Sequence, residues 1–424
     1  MEVALVTAGS RGDVEPFLAL GEALAARGHR VRLLAPEGFE SLFEGSPVAY
    51  RPAGPDPRRA LDEAGLRRLF AAGSGGLAFV RELIRAFERA APAFLEALDR
   101  ELPGSQAVVF GSLGFWAWSW AEAHRVPAFP ALLQPLLPTR AFPAPVGPVP
   151  RLARLGALNR LSYRAAERLA WALVARPTNA YRRRLGLRPY GLAGPYPELA
   201  RRGVPVLLGV SPHVVPRPRD WPARYRLTGY WFRRPRPWRP PPGLARFLDR
   251  EPRPVYLGFG SMRPPEPGRV FRRVLEALRR VGVPAVVARG WAGAAIEPAD
   301  DLYLLDEVPH SWLLPRVAAA VHHGGAGTSA AVFRAGVPGV WVPFLADQFF
   351  WAERARALGV APAPVPARRL DADRLAAALR AALRPEPRAR ARALAARLAG
   401  EDGAARAAEI LEKEVRLDIL ESRT

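Results

Sequence analysis

A parallel α/β fold built as two tandem halves is predicted by three features of this 424-residue chain. Short apolar runs alternate with longer amphipathic stretches, the rhythm of strands and crossover helices in a parallel sheet. The rhythm breaks once, in a stretch of proline and arginine, and then starts again. A glycine-bearing turn follows the opening strand of each half, Gly9-Ser10-Arg11-Gly12 in the first and Gly258-Phe259-Gly260-Ser261 in the second. The length also exceeds one ordinary core and suits two domains of about 200 residues each.

The elements follow in order. Residues 3–6 predict the first strand and 14–26 the first helix, because Phe17, Leu18, Leu20, Gly21 and Leu24 share one face. Arg27-Gly28-His29 closes that helix before a strand at 31–34, and further strands are predicted at 107–110, 128–132 and 206–208. The stretch 212–243 is too poor in backbone donors for a central strand or helix, so it predicts an extended, semi-rigid connection. A strand at 225–230 is expected to belong already to the second half. The α/β rhythm resumes with strands at 255–259, 285–288, 302–304 and 317–321 and helices at 270–280 and 329–335. Residues 370–420 read as helix interrupted at Pro385 and Pro387, giving at least two packing helices without the sustained heptads of a coiled coil. The expected organisation is a first half at 1–212, a linker at 213–243, a second half at 244–384 and C-terminal helices at 385–424.

Composition narrows the class. With 49% hydrophobic and 24% charged residues the chain can bury a core and is not disordered. The absence of cysteine excludes disulfides, thiolate chemistry and cysteine-ligated zinc. No apolar run is long enough to span a bilayer and the chain opens directly on a strand, so a soluble cytoplasmic protein without a signal peptide is expected. The net charge of +22 rests on arginine, Lys413 being the single lysine. These arginines are scattered and form no arm, which favours a solvated surface over nucleic-acid binding. One region differs: Arg151, Arg154, Arg160, Arg164 and Arg168 interleave with apolar residues. That pattern fits either a charged solvent face or peripheral contact with an anionic membrane at its inner face.

Chemistry concentrates in three places. The turn His322-His323-Gly324-Gly325-Ala326-Gly327-Thr328 joins an apolar strand to an apolar helix, leaving backbone N–H groups and a positive dipole end where a diphosphate would sit. Asp347 and Gln348 supply a carboxylate and an amide able to hold sugar hydroxyls. In the first half, Asp13 follows Gly12 at the start of a helix, where it either caps that helix or lies in a cleft as a base. Together these predict a nucleotide-sugar site.

This set of motifs resembles the nucleotide-sugar-dependent glycosyltransferases of the GT-B fold, two Rossmann-like doubly wound domains facing across a cleft. It looks most like the branch holding the sterol glucosyltransferases and the enzymes that glycosylate glycopeptide-antibiotic aglycones. The blocks 7–36, 258–262 and 306–366 carry the resemblance, in the family's order. It implies that His323, more than His322, contacts the diphosphate, with the amides of Gly324, Gly325, Ala326, Gly327 and Thr328 completing the cradle. By the same resemblance Ser261 bonds a phosphate oxygen, Val308-Pro309-His310 reads the nucleobase through its backbone, and Asp347 and Gln348 bind the sugar. Asp13, in Gly12-Asp13-Val14-Glu15-Pro16, stands where many relatives have a histidine base, as it does in the sterol and antibiotic branch; Ser10, Arg11 and Gly12 face the donor. The plant secondary-metabolite branch grips the ribose with a glutamate where this chain has Ala331, which leaves UDP and dTDP donors both open.

The implied activity is inverting transfer of a hexose, glucose from UDP-glucose foremost, to a hydroxyl of a lipophilic small molecule, with no separate cofactor and no metal. A nucleotide-sugar epimerase of the same fold, or a binding protein without turnover, are the competing readings. In this fold the acceptor lies on the first half, where Phe115, Trp116 and Leu133 are its candidate contacts. Aromatics at the spacing of Phe115, Trp116, Trp118 and Trp120 are more often core than pocket.

Overall fold

The computed structural model describes residues 1–60, 77–148, 155–262, 266–292 and 296–421. Arg151 and Arg154 lie outside the described residues. Two all-parallel sheets form the frame. The first contains β1 (Glu2–Val6), β2 (Arg30–Ala35), β3 (Ala49–Pro52), β4 (Ala107–Phe110), β5 (Ala128–Leu132), β6 (Val206–Leu208) and β7 (Tyr225–Leu227), in the spatial order β3-β2-β1-β4-β5-β6-β7. The second contains β8 (Val255–Gly258), β9 (Ala285–Ala288), β10 (Leu302–Leu305), β11 (Ala320–His322) and β12 (Gly339–Trp341), ordered β10-β9-β8-β11-β12.

Central strands β1, β4, β8 and β9 are buried almost throughout, which is why they read as continuous apolar runs and not as alternating ones. Helices cover both faces. In the first half these are α1 (Arg11–Ala26), α2 (Leu77–Glu101), α3 (Trp116–His124) and α4 (Gly156–Arg184). In the second they are α5 (Pro267–Val281), α6 (Ala326–Ala335), α7 (Gln348–Ala357), α8 (Ala372–Ala382) and α9 (Pro385–Leu398). The chain order reverses between β1 and β4 in one sheet and between β8 and β11 in the other. A doubly wound sheet opens its ligand crevice at that reversal, beyond the carboxyl ends of the strands. The turns after β1, β8 and β11 therefore occupy the positions where ligands bind.

Several expectations change. The strand at Tyr225–Leu227 is not part of the second half: it pairs in parallel with β6, Leu208 opposite Leu227, and completes the first sheet. A three-residue strand flanked by prolines carries too little pattern to declare its partner. The edge strand Ala49–Pro52, mostly exposed, and the three-residue Gly339–Trp341 were not legible for the same reason. The C-terminal stretch forms three helices, with Pro385 at the first turn of α9, where its missing N–H costs nothing.

The third of these, α10 (Gly403–Glu421), returns to the first half. Its Ala404, Ala407, Ala408, Leu411 and Val415 join Val14, Phe17 and Leu24 of α1 in one buried cluster. Glu412 fastens the contact, accepting from Arg27 Nε at 2.8 Å and lying 2.7 Å from His29 Nε2. The last helix thus straps the two halves together. Leu411→Ala is expected to lower stability by about 2–5 kcal/mol through a buried cavity, whereas Leu417→Ala on the exposed side should stay within about 0.5 kcal/mol; thermal denaturation compares them.

Candidate functional site

The first-half turn is built around Asp13. Helix α1 begins at Arg11, three residues earlier than its apolar pattern shows, with Ser10 as N-cap. Asp13 is thus inside the first turn, and its Oδ2 accepts from Ser10 N at 2.9 Å and Ser10 Oγ at 3.2 Å. Gly9 makes room for it: at φ +112° its backbone favours glycine, and a Cβ there would stand 2.4 Å from Asp13 Oδ2. Burial pushes the carboxyl up to about 6, against the lowering effect of the Ser10 bonds. Asp13 therefore caps and faces the cleft at once. Arg11 donates to Glu15 at 2.9 Å and to Glu307 of the second half at 3.2 Å, so its guanidinium pairs with exposed carboxylates at the cleft edge.

The second-half turn abuts the first. Strand β11 ends at His322, Gly324 turns the chain at φ +91°, and α6 begins after Gly325. With a glycine N-cap and no acidic residue in its first turn, α6 leaves the amides of Ala326, Gly327 and Thr328 without intrahelical partners and its positive end open. A Cβ on Gly327 would lie 3.8 Å from Gly12 Cα, so the two helix starts meet across the cleft.

His323 lines this turn, and His322 does not. His323 sits between two glycines: a Cβ on Gly260 would be 3.3 Å from its Cε1, and one on Gly325 2.5 Å from its Nε2. Burial, with the His310 ring adding to it, pushes its pKa down to about 4, so it is neutral at pH 7 and offers a hydrogen bond without a charge. His322 is completely buried, its Nδ1 accepting from Gly324 N at 3.2 Å and its ring packed edge-on against Trp341. Its place as the last strand residue turns it inward, and it shapes the turn from below. Ser261, partly exposed, follows Gly260 next to His323. His310 is engaged with Tyr256 Oη at 3.0 Å and is held near pKa 4 by burial, while Val308 packs on the core. Only the backbone of that loop is left for a base.

Asp347 and Gln348 part company. Gln348 is buried, its Oε1 accepting from Phe344 N at 2.8 Å and Leu345 N at 3.2 Å and its Nε2 donating to Met262 Sδ at 3.3 Å. Its Oε1 thus braces its own loop, while its Nε2 has only a thioether sulfur as acceptor. Ala346 adopts φ +51°, a conformation uncommon for a residue with a Cβ, just before Asp347. Asp347 Oδ2 accepts from Trp351 Nε1 at 2.9 Å, and Gln134 of the first half lies close enough to favour its charged form. Burial raises Asp347 to about 6; the Trp351 bond opposes this and the charge of Asp13 across the cleft adds to it. Two carboxylates thus face one space.

The acceptor-side expectations are corrected. Trp116 is 3% exposed and donates from Nε1 to Thr178 Oγ1 at 2.8 Å, and Leu133 packs in the core under the first sheet. Trp118 and Trp120 are core as well. Phe115 stays partly exposed, and Leu113, 38% exposed, lies beside Gly9. Residues missed in the sequence include Gln134, Glu307 and Tyr256, whose partners are distant in the chain. Trp351 alone carried a local signal, four residues after Asp347 on one helix face.

Two doubly wound parallel sheets, with an open helix start facing a buried carboxylate, are the architecture of the GT-B class. Residues 3–96 match the glycosyltransferase family 28 N-terminal domain, and residues 273–417 match the erythromycin biosynthesis protein CIII-like C-terminal domain. The chain is 38% identical over 427 residues to O-mycaminosyltylonolide 6-deoxyallosyltransferase of Streptomyces fradiae, 97% of each being covered. It is 34% identical over 423 residues to a sterol 3-beta-glucosyltransferase of Arabidopsis thaliana, covering 97% of this chain and 68% of that one. Of a Cryptococcus neoformans sterol 3-beta-glucosyltransferase, 32% identical, it spans only 27%. The same fold is seen in the glycotransferase of kitacinnamycin, with TM-score 0.70, 21% identity and 98% and 99% of the two chains covered. It is seen too in SsfS6 of Streptomyces sp. SF2575 complexed with thymidine diphosphate, with TM-score 0.62, 20% identity and 97% and 99% covered. The chain belongs to the glycosyltransferases that join a family 28 N-terminal domain to an EryCIII-like C-terminal domain, and is a hexosyltransferase.

Two outcomes test this geometry. Gly325→Ala drives a methyl into His323 and should weaken nucleoside-diphosphate binding roughly tenfold, read by calorimetry. Because the Asp13 carboxyl is raised to about 6, its ionisation costs stability: the cost is absent below about pH 4, grows up to pH 6 and is constant above. Asp13→Asn should therefore melt higher than the parent at pH 7, by on the order of 1 kcal/mol in a partly wet site, and converge with it near pH 4.

Proposed function

We propose that this enzyme transfers a hexose, glucose foremost, from a UDP- or dTDP-linked donor to a hydroxyl of a lipophilic small molecule, with inversion at the anomeric carbon. The observation that carries the reading is Asp13, a carboxylate tuned to about 6 and held opposite the open start of α6. Asp13 takes the acceptor proton as the acceptor oxygen attacks C1, and the bond from C1 to the diphosphate oxygen breaks on the opposite face. The amides of Ala326, Gly327 and Thr328 receive the departing charge, joined by neutral His323 and Ser261, so no metal or further cofactor is needed for that step. Asp347 orients the sugar hydroxyls. The acceptor class follows the relatives, named for sterol and tylonolide substrates. UDP and dTDP both stay within the proposal: Ala331 offers the ribose no acidic partner, and one structural neighbour is complexed with thymidine diphosphate.

A cytoplasmic site of action, with peripheral contact at the inner membrane face, belongs to the same reading; no described helix is long and apolar enough to cross a membrane.

Asp13→Asn should cut kcat by about 10²–10⁴ while UDP affinity changes less than about threefold. In the parent, kcat/KM should fall as pH drops through about 6, when the base is protonated. A transfer screen of UDP- and dTDP-sugars against sterols, carotenoids and phenols, read by mass spectrometry, checks the substrates; unchanged turnover in Asp13→Asn would overturn the base.

A further inference from the structure

Helix α4 presents two parallel rows to solvent. Leu158, Leu161, Ala165 and Leu169 repeat at three- and four-residue spacing, and the leucines are 43%, 56% and 50% exposed. Leu155 at the N-cap and Val146 in the preceding loop, each 52% exposed, extend the row. Beside it run Arg160, Arg164 and Arg168, four residues apart and all exposed. The opposite face is the packed one, with Asn159, Tyr163, Trp171, Val174 and Thr178 buried. Aqueous helices do not ordinarily spend three leucines on their solvent side.

The charge pattern names the occupant. Between Glu122 and Glu198 the only acidic residue is Glu167, itself partly buried. Arg176, Arg182 and Arg184, toward the end of the helix, pair with Glu88, Glu122 and Asp99. Among the described residues, Arg160, Arg164 and Arg168 hold no such salt bridge. Arg160 and Arg164 feel the charges of Asp220 and Glu167 without a salt bridge to either, and leucines flanked by a row of exposed arginines match a bilayer, hydrocarbon under the apolar row and phosphates beside the basic one. A second copy of this chain fits poorly, because an antiparallel two-fold pairing of the leucine rows would bring two arginine rows together, on a protein of net charge +22 that already repels its own copy. Nucleic acid would leave the leucines uncovered.

The start of the row is tied to a loop that touches both halves. The start of α4 is tied to the loop after β5: Asn159 Nδ2 donates to Arg140 O at 2.9 Å, and Ser162 Oγ accepts from Ala144 N at 2.9 Å. That loop starts with Gln134, which lies close to Asp347, and carries Phe142, whose ring lies 5.1 Å from that of Phe350 in the second half.

We infer that the Leu158–Leu161–Leu169 face of α4, with Arg160, Arg164 and Arg168, docks the enzyme on an anionic phospholipid surface and sets the acceptor side of the cleft against the bilayer. The purpose of this contact rests on the lipophilic acceptor proposed for the enzyme; the contact itself does not.

Cosedimentation of the full chain with vesicles tests it. Binding is expected to vesicles of equal parts phosphatidylcholine and phosphatidylglycerol and not to phosphatidylcholine alone, weakening roughly tenfold or more from low to high salt. The double variant Leu158→Ser/Leu161→Ser and the charge reversal Arg164→Glu/Arg168→Glu should each lose about tenfold in vesicle binding while retaining UDP affinity, which reports a folded donor half. No binding of the parent to the anionic vesicles, or equal binding by both variants, overturns the proposal. So does a leucine variant that changes only self-association in gel filtration. If vesicles bind and no lipophilic alcohol is glycosylated, docking stands and the acceptor reading fails.

Discussion

Two helix starts aimed into one cleft are the constraint on which the rest of the structure depends. The positive ends of α1 and α6 approach until Gly12 and Gly327 are within a side chain's width. Like partial charges at that separation repel, and each end needs an anion. Helix α1 carries its own in Asp13, bonded to Ser10 N, whereas α6 has no acidic residue in its first turn. The second end is satisfied by what it binds. This asymmetry assigns the two walls their tasks, base on one side and leaving diphosphate on the other.

Holding two positive ends together requires ties elsewhere. Helix α10 supplies the largest, burying alanines and Leu411 against α1, and Arg354 adds hydrogen bonds of 2.9 and 2.7 Å to Val214 O. Glu307 bridges to Arg11, and Gln134 lies close to Asp347. Asp347, restrained by Trp351 and raised by burial and by Asp13, is a carboxylate of the second half that shares the space of the base. Neutral His323 and His310 complete a site whose positive potential comes from backbone dipoles more than from charged side chains.

Side-chain direction separates the neighbours that the sequence grouped. His322 and His323 look equivalent in the chain, yet strand alternation sends the first under Trp341 and the second into the cleft. Asp347 and Gln348 divide in the same way, the amide filling the backbone demands of Phe344 and Leu345. Trp116, Trp118 and Trp120 supply core, and their indole N–H groups needed partners such as Thr178 and Tyr190 that lie far along the chain. The leucines of α4 run the other way: their helical spacing was readable, but which face would be covered was not.

The sequence by itself determined the tandem parallel α/β frame, the glycine turns at Gly9 and Gly324, the anion-seeking start of α6 and the position of Asp13, because each is fixed by local spacing and backbone geometry. Only the tertiary structure decided that Tyr225–Leu227 completes the first sheet, that α10 returns to α1, that Arg11 answers Glu307 and that Asp347 meets Gln134. Those outcomes join residues tens to hundreds of positions apart. Their energy comes from burial and pairing that exist only once the two halves have closed on each other.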